Sequence, residues 1–150
     1  MNVNGIKLQF QPVTLAKDTK TIEQVGQLFM THPATNRFEI SDLKSKLNAK
    51  YFYVITGDNN ALIAAASACV DESNSAVFKI LNFIVSARYR GLGIGAWFLA
   101  KIESEARKVL ASLPSNTSNL KIGGIPGGDS AFFYIRQGYE SQDFLLIKKL

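Results

Sequence analysis

The chain holds one cysteine, Cys69, and one histidine, His32, in 150 residues. A single cysteine excludes an internal disulfide and suits a reducing compartment, so a cytoplasmic location is expected. Cys69 sits in an Ala-rich run with no basic neighbour to activate a thiol, and reads as a small core residue. His32 and Cys69 form no ligand cluster, so no metal is expected. The first twenty residues contain no continuous apolar run, which argues against a signal peptide. The longest nearly apolar run, Ala61 to Val70, is too short to cross a bilayer and reads as a buried strand. Neither sign of charge is concentrated. The net charge of +5 favours anionic partners, but the basic residues are scattered without interleaved aromatics, so neither nucleic acid nor a membrane is an expected partner.

What the chain does have is core. Apolar residues make up 47% and ten Phe lead the aromatics, which excludes disorder and fits one domain over residues 1–150. Ile6, Leu8 and Phe10 alternate with polar residues and predict a first strand. Ile22, Val25, Leu28 and Phe29 have helical spacing, with Thr21 as N-cap and Pro33 beyond the end. Leu43 and Leu47 predict a short second helix opened by Glu39 or Ser41. Tyr51 to Thr56 and Ala61 to Val70 read as antiparallel neighbours joined at Gly57-Asp58-Asn59-Asn60. Val77 to Val85 is apolar on both faces, as in the middle of a covered sheet. Alternation puts Val77, Lys79, Leu81, Phe83 and Val85 on one face. A helix with Leu99, Ile102, Ala106 and Val109 on one stripe follows the glycines after that strand. Leu120 to Ile122, a short aromatic helix from Ser130 to Gln137 capped by Gly138, and Phe144 to Ile147 complete a mixed α/β or α+β order, β-α-α-β-β-β-α-β-α-β.

The strongest local signal is Arg90-Gly91-Leu92-Gly93-Ile94-Gly95-Ala96. A strand runs into three alternate glycines and then a helix. Glycines let a backbone approach a ligand closely, and the free N–H groups of a helix start suit a pyrophosphate. Arg90 adds charge at the loop mouth. Gly95 is followed by Ala96-Trp97, which excludes the P-loop pattern. Gly91, Gly93 and Ala96 satisfy a dinucleotide spacing. However, they lie past the midpoint, and Ser112 to Ile122 offers no acidic residue for a ribose.

At these residues the sequence resembles the GNAT N-acetyltransferase superfamily, through Arg90, Gly93 and Gly95 and through Phe133-Tyr134 with Gly138-Tyr139. The resemblance implies a largely antiparallel central sheet flanked by helices, with the strands at Val77–Val85 and Leu120–Ile122 splayed apart. It implies acetyl-CoA as acyl donor and a small-molecule or protein amine as acceptor. Leu92 to Ala96 would grip the pyrophosphate by their main chain, with Gly91, Arg90 and Phe133 beside them. Phe83, Ile84 and Val85 would meet the pantetheine arm, Phe83 and Val85 through their main chain, and Val85 or a neighbour could polarise the thioester carbonyl. Tyr134 would protonate the departing thiolate, a role open to a phenol that is neutral at pH 7. Two departures stand out. Gly127 occupies a position where many relatives have a pantetheine-binding Asn, and Val77–Val85 carries Lys79 and Asn82 but no carboxylate base. Glu39, Asp71, Glu72 and His32 are bases by residue class only. The missing carboxylate keeps two rivals open: an acyl-CoA-binding regulatory module without transfer, and a transferase for a longer acyl-CoA. A homodimer also stays open.

Overall fold

The computed structural model describes residues 1–13, 19–31, 51–71, 77–113, 121–124, 130–142 and 145–150. Nine strands and three α-helices lie among them: β1 (Asn2–Val3), β2 (Ile6–Lys7), β3 (Gln9–Pro12), α1 (Thr19–Met30), β4 (Tyr51–Thr56), β5 (Leu62–Asp71), β6 (Val77–Val85), α2 (Ile94–Ala111), β7 (Lys121–Gly124), α3 (Ser130–Arg136), β8 (Glu140–Gln142) and β9 (Leu145–Lys149). Seven strands form one mixed sheet in the order β3-β4-β5-β6-β7-β9-β8. All neighbours are antiparallel except β6 and β7. A strand apolar on both faces belongs in the middle of such a sheet, and β6 is fourth of the seven. The predicted helix at Leu43–Leu47, and His32, Pro33, Glu39, Glu72, Leu120, Gly127 and Phe144, lie outside the described residues.

Each face of the sheet has its own core. Val25, Leu28 and Phe29 of α1 pack on Phe52, Val54, Ala65 and Ile84. Phe98, Leu99, Ile102, Ala106 and Leu110 of α2, with Tyr134 of α3, pack on the other side against Tyr53, Ile55, Phe78 and Ile80. Ala64, Ala65, Ala66 and Ala68 of β5 are at most 1% exposed, and their small side chains let helices sit close on both faces.

The structure corrects the sequence reading at several points. The expected first strand is a hairpin followed by a strand. Asn4 and Gly5 both have positive φ, 51° and 82°, and join β1 to β2 as a two-residue turn. The helix expected from Thr21 starts at Thr19, so Thr21 lies in its first turn rather than capping it. Apolar spacing marks a helix face and leaves its ends open. Cys69 is half-buried rather than core, opposite Lys79. The last strand is a β8–β9 hairpin. Glu140, Ser141 and Gln142 are all exposed, so β8 carries no apolar alternation to read.

The correction with most consequence is in β6. Its pairing with β5 shifts register between Ser67↔Asn82 and Ala68↔Ile80, which leaves Leu81 as an extra residue. Such a bulge reverses the alternation of side chains and bends the strand. Phe78 and Ile80 therefore share the α2 face with Phe83 and Val85, while Ile84 joins the α1 side.

Candidate active site

Pairing of β6 with β7 ends at Ile80↔Gly124, one residue before the bulge. Beyond it β6 continues to Val85, held by β5 on one side, with no ladder on the other among the described residues. The direction of its main-chain groups follows from the pairing. Ser86 N–H donates to Ile63 O at 2.8 Å, which makes that opposed pair a hydrogen-bonded one. Hydrogen-bonded and open pairs alternate along an antiparallel ladder. Val85 and Phe83, opposite Ala64 and Ala66, thus turn their N–H and C=O away from β5 into the open flank. Ile84 turns toward Ala65, with its side chain in the α1-side core.

A 3₁₀ turn, Ala87–Tyr89, carries the chain from β6 to the glycine loop. Gly91 and Gly93 have φ of 75° and 77°, a region that strains residues with a Cβ. Gly93 is the N-cap of α2 and supplies no side-chain oxygen. Helix geometry leaves the N–H groups of Ile94, Gly95 and Ala96 without intrahelical acceptors. Trp97 N–H is the first to find one, Gly93 O at 3.1 Å. The helix thus begins before the third glycine, and Gly95 is its second residue. Leu92 is exposed and Ile94 buried, so only the latter anchors the loop in the core. Arg90 is exposed and folds back: its Nε donates to Val85 O at 3.0 Å.

The third part of the site is α3. Phe133 and Tyr134 lie over the end of β6, with ring centroids 5.5 and 6.3 Å from that of Phe83. A Cβ on Gly95 would meet Cε2 of Phe133 at 3.3 Å, so glycine there lets α2 and α3 approach. Tyr134 is 3% exposed, and burial holds its phenol well above the usual value of 10. No hydrogen bond from its hydroxyl to a described residue is present. Gly138 (φ 86°) ends α3, with Tyr139 N–H returning to Tyr134 O at 3.1 Å. Phe83, Val85, Arg90, Gly91 to Ala96, Phe133 and Tyr134 are therefore grouped at one end of the sheet. Asp71 is at the other end of β5, paired with Lys79 at 2.8 Å. Asn82 donates to Ser67 Oγ at 2.8 Å.

Sequence reading missed a buried carboxylate behind this group. Glu103 of α2 accepts from Tyr139 OH at 3.2 Å and from Lys148 Nζ at 3.0 Å. Tyr139 in turn lies edge-on to Tyr134, with centroids 5.2 Å apart. The signal was in the spacing: position 103 falls between Leu99 and Ala106 on the buried stripe of α2.

Comparison with known proteins bears on the family and the fold. The model of the acetyltransferase (GNAT) family matches residues 20–121. No curated protein sequence matches the chain significantly. Among solved structures, a probable acetyltransferase of meticillin-resistant Staphylococcus aureus is 18% identical, with 92% of each chain covered and a TM-score of 0.65. Arabidopsis thaliana Naa50, solved with the bisubstrate analogue CoA-Ac-MVNAL, is 18% identical, with 95% of this chain and 99% of that one covered and a TM-score of 0.66. The Escherichia coli GNAT family N-acetyltransferase YhbS, solved with CoA, is 14% identical, with 96% and 82% covered and a TM-score of 0.66. At these identities the likeness is one of fold.

Proposed function

Because the chain belongs to the GNAT family of acetyltransferases, we propose that it transfers an acetyl group from acetyl-CoA to a primary amine by direct attack. One observation carries the reading: the open main-chain flank of Phe83 and Val85 runs straight into the glycine loop and the start of α2. An extended pantetheine arm can add to that flank as a strand does. The amides of Leu92 to Ala96, at the positive end of α2, suit the pyrophosphate, with Gly91 shaping the loop. Arg90 keeps guanidinium donors beyond the one used on Val85. Ile84 contributes by seating β6 against β5, and Phe133 by walling the site beside Gly95.

In the reaction a neutral amine attacks the thioester carbonyl, and the C–S bond breaks as the C–N bond forms. Val85 N–H faces the flank where the carbonyl oxygen would gather charge. Tyr134 hands its phenolic proton to the departing thiolate, and burial keeps that proton in place at working pH. The attacking amine gives up its proton to solvent, and Tyr134 takes one back from solvent once the thiol has left, which closes the proton balance. A cytoplasmic location and a single domain over residues 1–150 complete the proposal.

The test is thiol release from acetyl-CoA across a panel of small amines and peptide N-termini, alongside thermal melts with acetyl-CoA. Release with some amine and a raised Tm are expected. A raised Tm without release on any amine would favour a regulatory acyl-CoA-binding module. No shift at large excess of acetyl-CoA would remove the donor assignment itself.

A further inference from the structure

The Tyr134 hydroxyl makes no hydrogen bond to a described residue, so among these residues no polar partner aims it. Its ring is held by walls instead. Phe83, Phe133 and Tyr139 all meet it edge-on, with centroids 6.3, 5.4 and 5.2 Å away. Phe83 and Phe133 have no polar side-chain atom, so packing alone sets their place. Tyr139 differs, because both ends of it are tied. Its N–H donates to Tyr134 O at 3.1 Å, and its hydroxyl donates to Oε1 of Glu103 at 3.2 Å. Glu103 is 8% exposed and accepts from Lys148 Nζ at 3.0 and 3.2 Å through its two oxygens. Lys148 Nζ also lies 5.7 Å from the centre of the Tyr139 ring. Three distant segments, α2, the residue after α3 and β9, thus converge on the wall behind Tyr134.

A hydrogen bond to a carboxylate is directional and about twice as strong as a neutral one. Burial and the Glu103 carboxylate keep the proton on Tyr139, so the bond persists at working pH. Apolar residues of the same volume are often as stable as a buried ion pair. They would leave the angle of the Tyr139 ring unfixed. A general acid acts only within hydrogen-bond reach of the atom it protonates, so a tilt of its ring matters. Resting on the assignment of Tyr134 as the acid, we propose that Tyr139 and Glu103 are positioning residues: the Glu103–Lys148 pair fixes Tyr139, and the Tyr139 ring aims the Tyr134 hydroxyl at the departing thiolate.

Steady-state kinetics of the full chain, with acetyl-CoA and the amine that releases thiol fastest, test this. Tyr139→Phe keeps the ring and cuts the tie. Its kcat should fall about tenfold, with KM for acetyl-CoA changed less than about twofold. In a Tyr134→Phe chain the same change should alter kcat less than about twofold, because the acid to be aimed is gone. A merely structural role would lower kcat by one factor in both backgrounds. Two double variants remove the buried charges together. Glu103→Gln with Lys148→Met keeps an acceptor for the Tyr139 hydroxyl and should stay within about threefold of the parent kcat. Glu103→Leu with Lys148→Met removes it and should match Tyr139→Phe. Full kcat in Tyr139→Phe, an equal loss in both backgrounds, or equal rates in the two double variants would overturn the proposal. Full kcat in Tyr134→Phe would instead remove the acid assignment, and this inference with it.

Discussion

Arg90 Nε donates to the main-chain carbonyl of Val85 at 3.0 Å, so the residue opening the glycine loop is tied back to the last residue of β6. The strand flank and the loop are thereby held as one surface. Arg90→Ala removes both the tie and a positive charge. A hydrogen bond to a charged group contributes about 1.5–3 kcal/mol, so the Kd for acetyl-CoA should rise about tenfold or more by calorimetry. An unchanged Kd would take Arg90 out of the site.

Gly93→Ala places a Cβ on a residue with φ 77°. The left-handed conformation costs a residue with a Cβ about 1–2 kcal/mol, so urea unfolding should show a loss of that size. Acetyl-CoA affinity should fall with it. Gly95→Ala is the contrast, because Gly95 is already helical and its only tight neighbour among the described residues is the edge of the Phe133 ring. Its stability should change less than that of Gly93→Ala.

Tyr134→Phe keeps the ring and removes the proton. Turnover should fall by about 100-fold, the scale of general acid catalysis, with little change in acetyl-CoA affinity. Burial raises the phenol, so the parent's rate should show no descending limb from this group between about pH 7 and 10. A descending limb in that window, absent from Tyr134→Phe, would contradict the assignment.

Three tyrosines make stability fall at alkaline pH. Burial raises Tyr53, Tyr134 and Tyr139, and the carboxylates of Glu105 and Glu103 add to the first and last. In the unfolded chain each loses its proton near pH 10, whereas the folded chain keeps it. Their contribution is full below about pH 10 and is lost as pH rises through the folded values. Urea melts should be similar at about pH 8 and 9 and clearly weaker by about pH 11. Equal stability at pH 9 and 11 would refute the shifts.

Glu103→Gln should cost about 2–3 kcal/mol, because Lys148 loses its countercharge in a mostly buried site. Lys148→Met in the same chain should recover part of that loss. The double-mutant cycle reads the coupling directly. Additive losses would show that the pair contributes no coupling.

Much of the local structure around the candidate site was legible because its signals are local. Alternate glycines after a two-sided apolar strand specify a tight turn into a helix start whatever surrounds them. β4 and β6 follow from apolar runs bounded by turns, and the end of α3 from Gly138. The Asn4-Gly5 turn was equally local and readable. Other features had no local trace. Leu81 becomes an extra residue only through its pairing with β5, so the strand's own alternation put Phe78 and Phe83 on opposite faces. β8 consists of exposed polar residues made into a strand by their partner β9.

The chain by itself thus determined which segments turn, cap and bury, while the pairing of a glycine loop with an aromatic helix rested on the family resemblance. Those choices depend on backbone freedom and apolar spacing over a few residues. Only the tertiary structure decided where the β6–β7 ladder stops, which main-chain groups face the open flank, and that Arg90 folds onto Val85. It also brought Glu103, Tyr139 and Lys148 together across 45 residues of chain. These depend on register and on distant segments meeting, and hydrogen-bond pairing between strands is settled only when the sheet assembles.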